Sequence, residues 1–203
     1  MPRHRAERDD DFGEDPVALF QRWFDEATAD GHPQPEAMCL ATVEPDGRPS
    51  ARMVLMKGFS AEGVELYTHR DSRKGRALAA HPRAALVFHW PDRQVRIEGH
   101  VEALSHEESE AYFQSRPRGS QLSAWASPQS TPIADRASLE ARREAIAARF
   151  EGVDPLPCPP RWGGYRVALE RMEFWVAGAD RFHDRLVFHR SGPGQYVAER
   201  LAP

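Results

Sequence analysis

The sequence predicts one mainly antiparallel β domain with flanking helices, an α+β fold built on a barrel or a strongly curved sheet. Two observations lead to this prediction. Short apolar segments bounded by turn residues recur at both ends of the 203-residue chain, while helical periodicity is concentrated near its start and in its middle. No internal repeat divides the sequence, and a chain of this length can bury one substantial core. We therefore treat residues 15–203 as a single domain.

Residues 1–14 are predicted to form a flexible N-terminal tail, because their composition passes from basic to acidic without apolar periodicity. The first helix is expected to follow, with Asp15 as its N-cap, Pro16 at its first position and Gly31 at its end. Its apolar residues recur at helical spacing and are expected to cover the core: Leu19, Phe20, Trp23, Phe24 and Ala27.

Strands follow at short intervals. Turns at 45–47 and near Gly63 separate three segments that predict an antiparallel meander: Met38–Val43, Pro49–Lys57 and Val64–Thr68. A short helix from Ser72 to Ala80 ends before Pro82. Two further strands are then joined by a turn at Pro91-Asp92: Ala84–Trp90 and Gln94–Ala103. Alternation along the second predicts that one face carries Val95, Ile97, Gly99 and Val101.

Helices are predicted in the middle of the chain. Ser105 and Glu108 form a capping box for a helix that Pro117 breaks. A later helix is marked by Leu139, Ile146 and Phe150 and ends before a proline-rich connector at 155–160. The rest of the chain predicts four strands: Gly164–Glu170, Glu173–Val176, Arg185–His189 and Tyr196–Leu201.

Charge and composition exclude several classes of protein. The net charge of −4, from 27 Lys+Arg and 31 Asp+Glu, lacks the bulk basicity of a nucleic-acid-binding protein. No apolar run reaches membrane-spanning length, and the first eleven residues lack the apolar core of a secretory signal, so we expect a cytoplasmic protein with no membrane partner. No disulfide is expected between Cys39 and Cys158 in a reducing compartment.

The stretch from Arg52 to Lys74 gives the strongest functional signal. Arg52 and Lys57 stand at opposite ends of one predicted strand, and the next strand ends in Tyr67-Thr68. Ser72-Arg73-Lys74 then begins a helix. Cations, hydroxyls and a helix N-terminus together favour a phosphate-bearing ligand.

A second basic group lies in YFQSRPRGSQ. Tyr112 and Arg116 are one helical turn apart, and Ser120 follows the proline. The set fits a second phosphate, and it equally fits a solvated helix end.

A third basic group lies in RFHDR. An extended backbone would put Arg181, His183 and Arg185 on one face, either to meet anions or as a charged edge strand that deters aggregation. Upstream, Trp175 fits a core position or a contact with an aromatic cofactor.

Other chemistries lack their motifs. The histidines show no HExxH spacing, and no metal site is predicted. No GxGxxG leads from a strand into a helix and no P-loop is present, which argues against a Rossmann or nucleotide-hydrolase fold. Neither GxSxG nor a cysteine in a catalytic setting supports covalent hydrolysis.

Residues from about 15 to 203 resemble the pyridoxine/pyridoxamine 5′-phosphate oxidase family. The order and spacing of the following motifs carry the resemblance: RMVLMK, YT, SRK, RQVRIEG, YFQSRPRGSQ, WGGYRV, EFW, RFHDR and the terminal RLAP. The resemblance implies an antiparallel Greek-key split β-barrel and a homodimer with two FMN sites at the interface, each lined by both chains. It also implies oxidation of pyridoxamine or pyridoxine 5′-phosphate to pyridoxal 5′-phosphate, by hydride transfer from C4′ to flavin N5, with O₂ reduced to H₂O₂.

The resemblance also implies a role for each matching residue. Those matched to the cofactor are Arg52, Met53, Val54, Leu55, Met56, Lys57, Tyr67, Thr68, Arg73, Lys74, Gln94, Gln129, Ser130, Trp175 and Arg185. Those matched to the substrate phosphate are Lys57, Tyr112, Arg116 and Ser120. Arg181 and His183 match the residues over the substrate ring and are the expected catalytic pair, Arg181 through charge and His183 through proton handling or orientation.

Two alternatives stay open. A flavin oxidase of the phenazine-pathway type would keep the FMN residues without the substrate-phosphate set, which is complete here. A non-catalytic module that binds flavin or pyridoxal phosphate would use the same cations. The chain also departs from the family pattern: it lacks an Arg-rich, Tyr-containing N-terminal run, shortens the loop between Trp90 and Gln94, and places prolines at 128 and 132.

Overall fold

The computed structural model of the protein describes residues 12–203. Within that range the strands are β1 (Ala37–Val43), β2 (Pro49–Leu55), β3 (Gly58–Ser60), β4 (Gly63–His69), β5 (Arg83–Trp90), β6 (Arg93–Ala103), β7 (Trp162–Val167), β8 (Arg171–Val176), β9 (Asp184–Gly192) and β10 (Gln195–Arg200). The helices are α1 (Pro16–Ala29), α2 (Arg73–Ala80), α3 (His106–Ser115), α4 (Arg118–Ala126), α5 (Arg136–Arg149) and a 3₁₀ turn, Ala179–Arg181.

The strands form one curled antiparallel sheet. Its main path of hydrogen-bonded neighbours runs β10, β9, β8, β6, β5, β1, β2. A branch leaves the end of β6, where Val101–Ala103 pair with β7, and continues to β4 and β3. Because β6 belongs to both paths, the sheet curls into a half-barrel flanked by helices. The predicted fold class is confirmed.

The predicted strands and helices are confirmed to within about three residues at their ends, but the predicted meander is wrong. β2 pairs with β1, whereas β4 pairs with β3 and β7. The chain leaves β2 after Leu55, and the Lys57 backbone N–H donates to the Glu65 carbonyl at 2.8 Å. The short strand β3, which the sequence analysis missed, then turns back onto β4, so that β2 is left at an edge of the sheet.

Helix α1 closes one side of the main core. The Asp15 carboxylate caps it by accepting from the Val17 backbone N–H at 2.8 Å, as predicted. Phe20 meets Phe88 edge-on at 5.0 Å between ring centroids, and Trp23 meets Phe174 in the same way at 5.2 Å. All four rings are fully buried, so the predicted role of this helix is confirmed.

The expected flexible tail covered residues 1–14, of which 1–11 lie outside the described residues. Phe12 is buried, and its ring centroid lies 6.2 Å from that of Trp23. Packing against the core therefore begins before the predicted boundary at Asp15.

A second apolar cluster lies beneath α3, α4 and α5. Ser105 and Glu108 cap α3 through the predicted capping box. Pro117 separates α3 from α4, also as predicted. The buried centre of the cluster includes Phe113, Phe150 and Trp162. Among residues 12–203, none of the helices has both the length and the apolar character needed to cross a membrane.

Gly99 allows the backbone of β6 to lie close to the backbone of Ala168. The curl of the sheet depends on this close approach. It lies on the core face of β6, and a Cβ built there would stand 1.9 Å from the backbone oxygen of Ala168. Ala168 donates its own backbone N–H to the His100 carbonyl at 2.9 Å, so it cannot move away without breaking that bond.

We expect Gly99→Ala to lower the free energy of unfolding by about 2 kcal/mol or more, because the new methyl meets backbone rather than a side chain that can turn aside. Gly119→Ala is the matched control. Nothing lies within 4 Å of a Cβ at this helical glycine, so that variant should be neutral or slightly stabilising. Urea denaturation of both variants measures the difference. Equal stability of the two would contradict the close-approach interpretation.

Candidate active site

A cleft of about 610 Å³ opens between edge strand β2, strand β4 and the helices α2 to α4. It brings together residues that lie far apart in the sequence. The predicted site residues on its wall are Arg52, Met53, Val54, Leu55, Lys57, Tyr67, Thr68, Lys74, Tyr112, Arg116 and Gln129. Members of both predicted sets, the cofactor set and the substrate-phosphate set, therefore meet in one cavity.

Arg52 is fixed at one end of the cleft by three neutral acceptors, and its Nη2 also lies 3.9 Å from the Glu44 carboxylate. One terminal nitrogen, Nη1, donates to the Leu40 carbonyl at 3.0 Å and to Thr42 Oγ1 at 2.8 Å. The other, Nη2, donates to Ser50 Oγ at 2.7 Å. Burial lowers the pKa of Arg52 from its usual value, and the charge of Glu44 offsets part of this effect.

Lys74 lies beside Arg52, in the first turn of α2. Its Nζ donates to Thr68 Oγ1 at 2.9 Å, to Ser72 Oγ at 3.2 Å and to Gln129 Oε1 at 2.7 Å. Burial, reinforced by the charge of Arg52, lowers the pKa of Lys74 to about 8. The described residues place no carboxylate within ion-pair distance of this ammonium group. A cation at a helix N-terminus with only neutral partners is suited to binding an anion.

Arg73 does not line this cleft, although the sequence groups it with Lys74. Its Nε lies 3.0 Å from the Glu44 carboxylate, and it borders a neighbouring cleft of about 540 Å³ together with Arg48 and Arg76. Adjacent residues on a helix point in different directions. Glu44 thus binds Arg73 on one side, and Lys74 faces the main cleft on the other.

Stacked aromatic rings and one cation form the opposite wall. Tyr67 and Tyr112 lie 3.9 Å apart between ring centroids, at 22°. The Cζ atom of Arg116 sits 4.8 Å from the ring centroid of Trp162. Burial lowers the pKa of Arg116, and its buried Nη1 has no hydrogen-bond partner among the described residues. A guanidinium group held on aromatic rings without a carboxylate is suited to binding an anion.

A second group of predicted residues lies on the opposite side of the sheet from the core. Gln94, Trp175 and Arg185 are register partners on β6, β8 and β9 and so form one row. The row continues to His89 on β5. On β1, Ala37 lies one residue beyond the last β1–β5 pair, Met38 and Phe88, and is the register partner of Leu55 on the edge strand that borders the cleft.

Buried Glu173 fixes the orientation of Arg185 within that row. Its Oε1 accepts from Arg185 Nε at 3.0 Å and Nη2 at 2.8 Å, while Oε2 accepts from Arg171 at 3.0 Å and Arg96 at 3.3 Å. Burial acts to raise the pKa of Glu173, but the hydrogen bonds from Arg185 and Arg171 and the charge of Arg96 outweigh it, and the net pKa is lowered. The carboxylate is therefore ionised at neutral pH.

The predicted extended conformation of RFHDR is wrong. Asp180 and Arg181 have positive φ angles of 54° and 64°, and β9 begins only at Asp184. Arg181, His183 and Arg185 consequently do not form one alternating row. His183 instead turns back, so that its ring centroid lies 4.6 Å from that of Trp175 and its Nδ1 accepts from the Gly178 backbone N–H at 3.2 Å.

Several predicted residues lie outside the cleft wall. Met56 is buried in the main core, because its side chain points to the other face of the chain from its neighbours. Ser130 is exposed in the turn after Gln129, with a φ angle of 69°. Ser120, on α4, does not border the cleft. Trp175 is separated from Leu55 by four interstrand steps, about 19 Å at the usual strand spacing.

Five residues of the cleft wall were missed by the sequence analysis: His69, Ser123, Ala124, Ser127 and Trp162. His69 shares a face of β4 with Tyr67, a relation that the two-residue period of a strand predicts. Burial lowers its pKa, and the charges of Lys74 and Arg116 lower it further. Trp162 pairs with His69 across β4 and β7. No local pattern indicates that pairing, because 92 residues separate the two strands.

The half-barrel is that of the split-barrel fold, and the family matches that follow assign the chain to the flavoprotein oxidoreductases with this fold. Residues 24–150 match the family model described as "Pyridoxamine 5'-phosphate oxidase". Residues 162–203 match a second model, "Pyridoxine 5'-phosphate oxidase C-terminal dimerisation region". The chain belongs to the pyridoxamine 5′-phosphate oxidase family.

Curated relatives extend this similarity over nearly the whole chain. The "Pyridoxine/pyridoxamine 5'-phosphate oxidase" of Burkholderia multivorans is 54% identical over 204 residues, covering 98% of this chain and 94% of that protein. The protein of the same name from Rubrobacter xylanophilus is 54% identical over 191 residues, covering 93% of this chain and 87% of its own length.

Solved structures share the fold. PhzG from Burkholderia lata, in complex with tetrahydrophenazine-1-carboxylic acid, is similar with a TM-score of 0.90 and 32% identity, covering 98% of this chain and all of that one. A pyridoxamine 5'-phosphate oxidase-related, FMN-binding protein from Nostoc punctiforme gives a TM-score of 0.71 at 18% identity, over 92% of this chain and 96% of that one. The second similarity concerns the fold alone.

We expect Glu173→Gln to lower the free energy of unfolding by about 3 kcal/mol, because it leaves three arginines around a buried neutral group. Glu98→Gln is the matched control: Glu98 binds Arg96 and Arg171 but is 37% exposed, so its loss should cost less than about 1 kcal/mol. Urea denaturation at pH 7 measures both. The pKa of Glu173 is lower in the folded state than in the unfolded state. Its contribution to the free energy of unfolding is therefore complete above the unfolded pKa, near 4.5, and is lost as the pH falls through the folded-state pKa. Equal losses in the two variants would contradict this role.

Proposed function

We propose that the protein is an FMN-dependent oxidase that converts pyridoxamine 5′-phosphate, pyridoxine 5′-phosphate or both to pyridoxal 5′-phosphate, with O₂ reduced to H₂O₂. One observation carries the proposal. The cleft wall carries three cations without carboxylate partners among the described residues: Lys74 at a helix N-terminus, Arg116 on an aromatic wall, and Lys57 just beyond the end of β2. Two anion sites in one cavity suit a cofactor and a substrate that each carry a phosphate.

The residues around Lys74 fit the monophosphate end of FMN. Arg52 and Lys74 supply charge, Thr68 supplies a hydroxyl, and α2 supplies a helix N-terminus. The pyrophosphate of FAD is usually bound by a glycine-rich turn, and the sequence has none. The lining of the cleft thus supports FMN over FAD.

A homodimer would complete the site. Gln94, Trp175 and Arg185 lie strands away from the cleft on the same chain, and the C-terminal region matches a family dimerisation model. We infer that each cleft receives this row from the partner, together with Arg181 and His183. The flavin would then lie between the cleft wall of one chain and the row of the other.

When bound, FMN supplies the redox chemistry, accepting a hydride from the substrate C4′ carbon and passing the electrons to O₂. The chain positions the reactants. Lys57, Tyr112 and Arg116, which border the cleft, would hold the substrate phosphate and so fix the ring at one end, whereas Ser120 lies outside the cleft wall. Arg181 and His183 would hold the ring from the other face. Orientation of this kind converts an encounter into a unimolecular step.

A second candidate function is oxidation of a tricyclic phenazine precursor. The similarity to PhzG, with a TM-score of 0.90, favours it. The substrate-phosphate set argues against it, because Lys57, Tyr112 and Arg116 all border the cleft. A carboxylated tricycle offers a smaller charge than a phosphate dianion to these groups.

Anaerobic mixing with each substrate tests the proposal. We expect pyridoxamine 5′-phosphate to bleach the flavin absorbance of the purified protein, and Arg116→Ala to raise KM by about tenfold to a hundredfold through loss of a charge-assisted contact while the flavin stays bound. Bleaching by a dihydrophenazine carboxylate but not by the phosphate ester would favour the second candidate. An unchanged oxidised spectrum with both would indicate a non-catalytic flavin carrier.

The charge on Lys74 predicts how FMN affinity depends on pH. Since the pKa of Lys74 is about 8 in the free protein, the cation is lost above that pH. The dissociation constant of FMN should then rise by up to about tenfold per pH unit between pH 8 and 9.5. Lys74→Arg should abolish the dependence, because arginine keeps its charge throughout. Fluorescence titration of the apoprotein measures both. A flat wild-type profile would remove Lys74 from the phosphate site.

A further inference from the structure

Trp162 lies at the base of the candidate substrate-phosphate site. It is the first residue of β7, is 5% exposed and pairs with His69 across the sheet. Its ring is nearly parallel to that of Tyr112, at 4° and 6.2 Å between centroids, and edge-on to that of Phe113 at 5.3 Å. Trp162 also borders the cleft.

Arg116 depends on this ring for its placement. Its Cζ lies 4.8 Å from the Trp162 centroid and 5.8 Å from that of Phe113. It is the residue that ends α3, where its backbone N–H bonds to the Phe113 carbonyl. The structure records no side-chain hydrogen bond and no ion pair for this guanidinium group within residues 12–203.

Other arginines of the chain are held in a different way. Arg166 donates to Glu65 at 2.8 Å and to Glu102 at 3.0 Å, and Arg185 donates twice to Glu173. Those carboxylates occupy the in-plane N–H donors that a phosphate would need. An aromatic face attracts the cation through its quadrupole and leaves the in-plane donors free.

We propose that Trp162 is a positioning residue for the substrate phosphate and acts through Arg116. The proposal rests on the proposed function, since it takes the anion at Arg116 to be the phosphate of a pyridoxine derivative. The indole ring holds the guanidinium at the cleft wall in place of a carboxylate. Phosphate can then bind the free donors without displacing an internal anion.

If Trp162 served only to pack the apolar cluster, its replacement would have a different effect on ligand binding. Trp162 also belongs to the apolar cluster that contains Phe113 and Phe150, so its replacement can loosen packing. Such loosening would weaken binding of any ligand in the cleft. An effect through Arg116 is confined to ligands that carry the phosphate.

The test uses the FMN-loaded protein and two probes, 4-deoxypyridoxine 5′-phosphate and 4-deoxypyridoxine. Neither carries an amine or alcohol at C4′, so binding can be measured by calorimetry without turnover. We expect Trp162→Phe to raise the dissociation constant of the phosphorylated probe by about fivefold, because phenylalanine is the weaker cation–π partner. The affinity for the other probe should change less than twofold.

Trp125→Phe is the matched control. Trp125 packs against Phe150 in the same cluster and lies under another arginine, Arg149, at 5.3 Å, but it does not border the cleft. It should leave both affinities unchanged. In an Arg116→Ala background, Trp162→Phe should have no further effect on the phosphorylated probe, because the residue through which it acts is absent.

Two results would overturn the proposal: equal weakening of both probes by Trp162→Phe, or an undiminished effect in the Arg116→Ala background. Trp162→Leu, checked by thermal melting, provides a second variant that removes the ring altogether and should weaken the phosphorylated probe further. Wild-type protein that binds this probe but fails to oxidise pyridoxamine 5′-phosphate would refute the proposed reaction and leave the role of Trp162 measurable. Wild-type protein that does not bind it would refute both.

Discussion

The change of partner along β6 is the constraint on which the rest of the structure depends. Its first part pairs with β5 and β8, and its last residues pair with β7. Gly99 lies at this change, where the backbone of Ala168 passes too close for any side chain. The branch that leaves here carries β7 and β4, and so brings Trp162, Tyr67 and Thr68 to the cleft opposite edge strand β2.

The cleft differs from the rest of the described surface in the kind of group that holds its cations. Over most of the described chain, half-buried arginines are bound by carboxylates, as Arg166 is by Glu65 and Arg171 by Glu173. Lys74 and Arg116 are instead held by hydroxyls, an amide oxygen and aromatic rings. Burial lowers the pKa of both, which means that folding leaves these charges incompletely compensated. In the proposed function, a bound phosphate dianion would supply the missing charge.

Local sequence patterns predicted the elements well and their partners poorly. The cap at Asp15, the capping box at Ser105 and the alternation along β6 are each encoded within a few residues, and each is confirmed. The meander failed because three residues, Gly58–Ser60, redirect the chain away from β2. A strand that short carries too little pattern to be recognised.

The candidate site likewise contains some residues that local sequence patterns predicted and others that they did not. The cations near Lys74 were predictable, because a strand end and a helix start stand close together in the sequence. The separation of Arg73 from Lys74 was not, since it depends on Glu44, which lies in a turn after β1 and forms an ion pair with Arg73. Trp162 was seen only as part of a motif, because its contact with Arg116 is made through tertiary packing.

In the proposed homodimer, the segment between β8 and β9 would connect a surface far from the cleft of its own chain with the cleft of the partner chain. Asp180 and Arg181 adopt left-handed backbone conformations that non-glycine residues rarely take, and the next residue, Phe182, is 79% exposed. Such strain costs about 1 to 3 kcal/mol per residue and persists where the surroundings fix it. Here the His183 ring packs on Trp175 and accepts from Gly178, which anchors the end of the segment. Among residues 12–203, the side chains of Arg181 and Phe182 are exposed and have no hydrogen bond, ion pair or ring contact. In the proposed homodimer, a second copy set against the outer face of the sheet would bury Phe182 and present Arg181 to the neighbouring cleft. The strained segment of one chain and the cation-lined cleft of the other would then be two parts of one binding site.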